Sequence, residues 1–354
     1  MVVTAAERRA LAGQVAARLA GTPGVTDAFL TGSLLVGLGN RTSDVDLYLL
    51  GPDVAPGRHQ VFAESVRIDV HRESTAGLAG TVDRVATASL RSDAGPAVVP
   101  DRDVVAALRL RAGKVVVDSG YLGTLRRRLR EHDRVLRRLL LTRWLDAAHY
   151  GQEDLTGLLD DPSDADAATM VARLLLRTAG KAVAAACDDL FPGEKWVWRQ
   201  LDRSAPAGFP LADFRRLLRV DPLADPAETG LPEVRRFAQT CLAAAATLGW
   251  HRVPLAYWPR WHPAAGPLHR LPELSVRAYV DGVVVTAPDS RRVRLSHAAA
   301  LVWALCDGVD DRTLTQDTEH LARTHPVYRS LDRERTAGLL AGLLEARLVE
   351  RKRH

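Results

Sequence analysis

The sequence predicts a mixed α+β chain in three successive parts. These are an α/β domain over residues 1–120, a helical bundle over 121–262, and a small unit over 263–354 that joins a three-stranded antiparallel sheet to three helices. Three observations carry this division. The first 120 residues alternate helical spacing with short apolar/polar strands, the middle holds long amphipathic stretches free of internal proline, and the end opens with an Asp-Gly hairpin. At roughly 100–200 residues per domain, 354 residues make two or three domains. A chain 47% hydrophobic and 26% charged is ordinary for a globular protein, which excludes disorder as its main state.

Glu7 to Leu19 carries apolar residues at helical spacing. Gly24 to Leu30 reads as a strand entering a glycine-rich turn, Val45 to Leu50 as a second strand and Val66 to Val70 as a third. The amphipathic stretches Arg126 to His149, Ala167 to Leu190 and Pro232 to Leu248 form the bundle. Between the first two, Asp160 to Ala165 is a loop that offers Asp or Ser as an N-cap. Pro254, Pro259, Pro263, Pro267 and Pro272 mark residues 252–273 as a linker or an irregular packed connection. Ser275 to Val280 and Val283 to Thr286 are strands joined at Asp281-Gly282, a preferred pair for a tight hairpin. Arg291 to Leu295 is a third strand, followed by helices near 296–307, 313–324 and 332–347.

No apolar run reaches the ~18–20 residues of a membrane span, so no membrane partner is expected. Residues 1–9 lack a basic stretch followed by an apolar core, so no secretory signal is expected. Cys187, Cys241 and Cys306 are odd in number and widely spaced, which argues for a reducing cytoplasm and for three small packed side chains. The net charge of +5 hints at an anionic partner. The excess is arginine in a chain rich in Ala, Leu and Gly, a bias that a GC-rich genome also produces, and charge alone does not indicate nucleic acid.

The informative stretch runs from Phe29 to Leu47. An apolar lead-in reaches Gly32-Ser33, about ten residues follow, and Ser43-Asp44-Val45-Asp46-Leu47 starts a strand. Strand residues two apart share a face, so Asp44 and Asp46 project together. Two like charges on one face repel, and a divalent cation gives a reason to keep them. Magnesium takes hard oxygen ligands, usually one or two carboxylates with substrate phosphates. Asp69, between Ile68 and Val70, is placed to complete the site from a neighbouring strand. A Gly-Ser turn opening a helix leaves backbone N–H groups free for phosphate, and Ser33 adds a hydroxyl. Three carboxylates beside a phosphate cradle describe two-metal phosphoryl or nucleotidyl transfer.

On these residues the chain resembles the nucleotidyltransferase superfamily of DNA polymerase β, in its small-molecule branch of aminoglycoside nucleotidyltransferases. The catalytic resemblance covers residues 5–75, and the following helices suit that branch. It implies that Asp44 and Asp46 bind two Mg²⁺ ions, that Asp69 binds one of them and helps activate the nucleophile, and that ATP is the donor. Nucleotide contacts are expected from Gly32, Ser33 and Ser43. Polymerases and tRNA-adding enzymes share the motif but usually carry extra nucleic-acid-binding domains, and no segment here is basic and aromatic-rich. Toxin–antitoxin nucleotidyltransferases are usually much shorter.

In the helical part, Phe191-Pro192-Gly193-Glu194-Lys195-Trp196-Val197-Trp198 resembles a pattern of small nucleotidyltransferases. Lys181 and Lys195 are candidates for the triphosphate and Trp196 or Trp198 for the acceptor pocket; the alternative is packed tryptophans with a solvated lysine. Arg127, Arg130, Arg134, Arg137 and Arg138 form a stripe expected to be a solvated helix face, with service to nucleotide or an acidic substrate as the alternative. His149 and Glu153 are candidates for a base at an acceptor hydroxyl.

Leu295 to Gly308 is similar to the first helix of PqqD-like domains, the winged-helix-like leader-peptide recognition modules of ribosomally made, modified peptides. The resemblance covers about 270–351. It implies an Asp307-Gly308 turn, a helix started by Thr313 or Thr315, and a last helix ending at Ala346-Arg347-Leu348-Val349. It also implies that an extended leader adds a strand to the sheet edge at Arg291, Arg292, Val293 and Arg294, whose arginines suit an acidic peptide. Edge arginines also protect against aggregation. A DNA reader is not expected, because the last helix mixes Asp332, Arg333, Glu334, Arg335 and Glu345. The expected function is a Mg²⁺-dependent adenylyl transfer with release of pyrophosphate, the acceptor being a precursor peptide or a molecule carried on one. Two alternatives stay open: an aminoglycoside-type enzyme on a small hydroxylated molecule, and an inactive peptide-binding or regulatory module.

Overall fold

The computed structural model describes residues 4–64, 66–93, 99–219 and 230–352. Among them it holds twelve α-helices and three sheets, so the chain is mixed α/β. It divides into two compact units: Met1–Ser89 with Pro96–Leu139 and Leu190–Trp196, and Leu90–Gly95 with Leu140–Asp189 and Val197–His354.

The first unit begins with α1 (Ala5–Ala20), where Thr4 Oγ1 accepts the Glu7 N–H at 3.2 Å and Glu7 Oε2 accepts the Thr4 N–H at 2.7 Å, a reciprocal cap. Then come β1 (Asp27–Thr31), β2 (Val45–Gly51), β3 (Gly57–Ala63), β4 (Val66–Ser74), α2 (Thr75–Ala86), α3 (Asp101–Ala112), β5 (Lys114–Val117) and α4 (Tyr121–Glu131). The sheet order is β3-β4-β2-β1-β5, with β2 and β4 parallel and the other pairs antiparallel. Its two faces differ. Ala28, Leu30, Val45, Leu47, Leu49, Ile68 and Val70 form one core with Ala12, Val15, Ala16 and Ala20 of α1. The alternate residues Phe29, Thr31, Asp46, Tyr48, Asp69 and His71 therefore share the opposite face. The strands read from hydrophobic alternation are all present. β3 and β5 are additions, and β3 shows why: Arg58, His59 and Gln60 are exposed and break the alternation.

The expected helix 126–149 is two helices, α4 and α5 (Asp133–Leu158), because His132 leaves helical geometry at φ −107°, ψ 24°. The solvated arginine face holds at Arg127, Arg130 and Arg134, which are exposed, and is corrected at the other two. Arg137 is fully buried and Arg138 is 8% exposed, since Leu136, Leu139, Leu140 and Leu141 leave this turn of α5 no solvent face. Burial, with Arg134 and Arg137 nearby, pushes the Arg138 guanidinium down to about 10.

The second unit holds most of α5, then α6 (Ala165–Ala186), α7 (Val197–Ser204), α8 (Leu211–Leu217) and α9 (Gly230–Ala246). Asp161 accepts the Ser163 N–H at 2.8 Å at the turn before α6. There follow β6 (Leu268–Arg270), β7 (Ser275–Tyr279), β8 (Gly282–Thr286), β9 (Arg292–Leu295), α10 (His297–Leu305), β10 (Asp307–Val309), α11 (Asp311–Thr324), α12 (Arg333–Glu345) and β11 (Val349–Arg351). The expected hairpin sheet is present as β7-β8-β9. A second sheet, β10-β6-β11, was not expected. Its strand β10 takes up Asp307-Gly308, which is therefore not a turn, and the N-cap of α11 is Asp310, which accepts the Thr313 N–H at 2.7 Å. The proline-rich connection is packed, with Trp258 and Trp261 buried.

The helical and C-terminal parts, expected to separate near residue 262, fall in one unit. A buried network joins them: Arg270 Nε donates to Gln239 Oε1 at 3.0 Å, Arg270 Nη2 pairs with Asp307 Oδ2 at 2.8 Å, and Thr240 Oγ1 donates to the same carboxylate at 2.9 Å. Among the described residues no helix is long and apolar enough to cross a membrane.

Candidate active site

The polar face of the five-stranded sheet carries the site. The register pairs Thr31 with Asp46 and Asp46 with Asp69, so the end of β1, the start of β2 and the middle of β4 meet at one point. Gly32 follows β1 at φ +109°, and a Cβ there would lie 3.0 Å from Asp46 Oδ2. A glycine lets the backbone approach the carboxylate this closely at no steric cost. Asp44 precedes β2, and Arg67 on β4 bridges it to Asp69, with Arg67 Nε 3.4 Å from Asp69 Oδ1. These neighbours hold the Arg67 guanidinium above its usual range, the Asp44 hydrogen bond contributing most.

Other side chains face the pair. Arg58 donates to Asp69 Oδ2 at 3.0 Å, His71 Nε2 lies 3.0 Å from Asp46 Oδ1, and Arg109 Nη2 lies 3.4 Å from the same oxygen. Phe29, Tyr48 and His71 stack across three strands, with centroids 4.7 and 4.5 Å apart and rings 7° from parallel. Arg109 also donates to the Tyr48 hydroxyl at 3.0 Å; burial nonetheless raises the Tyr48 phenol. Asp69 Oδ1 is buried and accepts no hydrogen bond. Two adjacent carboxylates, one with a buried oxygen that accepts no hydrogen bond and has only the Arg67 guanidinium 3.4 Å away, fit a hard divalent cation that takes its remaining ligands from phosphate. Among the described residues no three His, Cys, Asp or Glu side chains form a metal cage, so the fit is to a carboxylate pair with Asp44 turned to Arg67.

The other expected residues fall as follows. Ser33 is buried, and its carbonyl accepts the Leu38 and Gly39 N–H groups at 2.9 Å each. Residues 33–37 form turns rather than the expected helix, and Gly37 at φ +76° leaves helical geometry. Ser43 is held in the loop: its hydroxyl donates to Asn40 Oδ1 at 3.1 Å and accepts the Asn40 N–H at 2.9 Å. Lys181 belongs to the second unit, where it is buried, donates to Gln200 and lies 5.2 Å from the Trp144 ring centroid. Lys195 is exposed in the first unit, 5.3 Å from the centroid of the buried Trp196, while Trp198 is partly exposed in the second. His149 Nδ1 and Ser275 Oγ are hydrogen-bonded at 2.6 Å, and Glu153 lies 3.9 Å from Nε2. That pair belongs to the second unit, and burial followed by Arg277 lowers His149.

Arg292, Val293 and Arg294 lie on β9, which pairs with β8 at the edge of its sheet. Arg294 pairs with Asp281 at 2.8 Å and Arg291 donates to the Ala346 carbonyl at 2.6 Å. Sequence reasoning missed Tyr48, His71 and Arg109. The first two stand two residues beyond Asp46 and Asp69 on the same face, so alternation contained them; Arg109 comes from α3 and left no local signal.

No family model matches the chain, and no curated protein matches it. Among solved structures, a nucleotidyltransferase-like protein from Exiguobacterium sibiricum 255-15 aligns with a TM-score of 0.37 and 14% identity, covering 73% of this chain and 82% of that one.

Proposed function

We propose that the first unit is a nucleotidyltransferase that moves a nucleoside monophosphate, AMP from ATP, to an acceptor oxygen. The observation that carries this is the register of Asp46 beside Asp69 on a polar sheet face, with Gly32 packed against Asp46. Asp46 and Asp69 are the residues to hold magnesium, with Asp44 beside them. When bound, magnesium would neutralise triphosphate charge and favour departure of pyrophosphate.

The acceptor oxygen attacks the α-phosphorus in line. Its new P–O bond forms as the bond from that phosphorus to the bridging β-phosphate oxygen breaks, and pyrophosphate leaves with the electron pair. Asp69 receives the acceptor's proton at a carboxylate oxygen. The Gly32-Ser33 turn positions the phosphates, and Arg67 and Arg109 balance charge around the carboxylates.

For the C-terminal part we infer a peptide-recognition role, because β9 is an edge strand bearing arginines and the sheet precedes three helices. The acceptor is then a precursor peptide or a molecule carried on one. The test of the transferase reading uses water as the acceptor. Wild type with Mg²⁺ and ATP should release pyrophosphate slowly and Asp46→Asn should not. Equal release by both proteins contradicts it.

A further inference from the structure

We propose that the cleft next to the carboxylate pair holds the acceptor by an anionic group, a phosphate monoester or a carboxylate. This rests on the transferase reading and names the substrate class of that site. The cleft, about 590 Å³, lies wholly in the first unit, between the far ends of β2 and β4 and the helices α2 and α3. Arg109 joins it to the site, since it lines the cleft and also reaches Asp46 and the Tyr48 hydroxyl.

Charge decides what the cleft accepts. Arg72, Arg84, Arg102 and Arg109 line it together with Glu73 and Asp103. Arg84 takes Asp103 at 2.7 Å, and Arg109 is engaged with Asp46. Arg102 is only 3.8 Å from Asp103 with its side chain 85% exposed, and Arg72 makes no ion pair among the described residues. Burial and then Asp103 hold the Glu73 carboxyl above its usual range, while Arg102, His71 and Arg84 pull it down. Ala76 and Gly77, in the first turn of α2, line the same cleft, where Ser74 Oγ accepts the Gly77 N–H at 3.0 Å and the Glu73 carboxyl lies against Gly77. A polyamine acceptor of the aminoglycoside kind would meet uncompensated guanidinium groups here. An acceptor with a phosphate or carboxylate would be held by Arg72 and Arg102, leaving a hydroxyl or a second oxygen free to attack.

The test titrates the full chain, in chelator and without nucleotide, with inorganic phosphate, with citrate and with spermidine, followed by calorimetry. Wild type should bind phosphate or citrate and not spermidine. Arg72→Glu with Arg102→Glu should weaken the anion by about tenfold or more, while Arg72→Lys with Arg102→Lys keeps most of it, and circular dichroism reports that each variant is folded. The tighter of the two anions assigns the handle as phosphate or carboxylate. Equal anion affinity in wild type and the charge-reversed protein, no anion binding by wild type, or tighter binding of spermidine would each overturn the proposal. A separate titration of wild type with Mg²⁺ and a nucleotide analogue reports the transferase reading. Anion binding at Arg72 and Arg102 without nucleotide binding supports the cleft and contradicts the transferase.

Discussion

Each unit contains a cluster of arginines around buried aspartate, and the two clusters are built on opposite terms. In the second unit Arg270 spends all three guanidinium nitrogens: Nε on Gln239, Nη1 on the Ala304 carbonyl, and Nη2 on Asp307 and Thr240. In the first unit Asp46 and Asp69 lie side by side, their partners Arg58, Arg67, His71 and Arg109 come from four different positions at 3.0–3.4 Å, and Asp69 Oδ1 has no hydrogen bond. A closed network ties elements together. An open one keeps capacity for a ligand, and the repulsion between its carboxylates is a cost that folding alone does not require.

The largest effect sought from this contrast is on activity. Asp46→Asn with Asp69→Asn should lower Mg²⁺-dependent pyrophosphate release by about 10³-fold or more, with an unfolding midpoint unchanged or raised because a like-charge pair is gone. Arg270→Leu should do the reverse in kind. It strands the buried Asp307 and should cost about 3–5 kcal/mol of stability in urea unfolding, while the pyrophosphate assay is read on whatever fraction remains folded. Gly32→Ala should cost about 1–3 kcal/mol, from a left-handed backbone and a methyl group against Asp46 Oδ2, and should slow release as well.

The smallest expected effect is a pH dependence. Burial and Arg277 lower the folded-state pKa of His149, so the unfolded chain binds its proton more readily. His149 therefore leaves stability intact above its unfolded pKa near 6.5 and removes it as pH falls through and below that value. Thermal melts from pH 8 to 5 should show a decline that His149→Gln reduces.

Alternation and one turn made the centre of the site legible. Val45 to Leu50 and Val66 to Val70 announce strands, and Asp46 and Asp69 stand at fixed places on them. The pairing of β2 with β4 in parallel register was open in the sequence, because strand order is set by packing of whole elements. Polar β3 was hidden for lack of alternation. The sheet β10-β6-β11 was hidden because its three-residue strands come from segments far apart in the chain. Arg270, whose network puts the helical and C-terminal parts in one unit, looked like one more arginine in a proline-rich connection. The caps were half legible: Asp161 accepts the Ser163 N–H in the loop expected to offer a cap before α6, while Asp310 rather than a threonine caps α11.

The most direct measurement is calorimetric titration of wild type and of Asp46→Asn/Asp69→Asn with an ATP analogue that cannot release pyrophosphate, with and without Mg²⁺. A functional carboxylate pair gives binding that needs both the metal and the two aspartates. Metal-independent binding of equal strength to both proteins, or binding by neither, would contradict it.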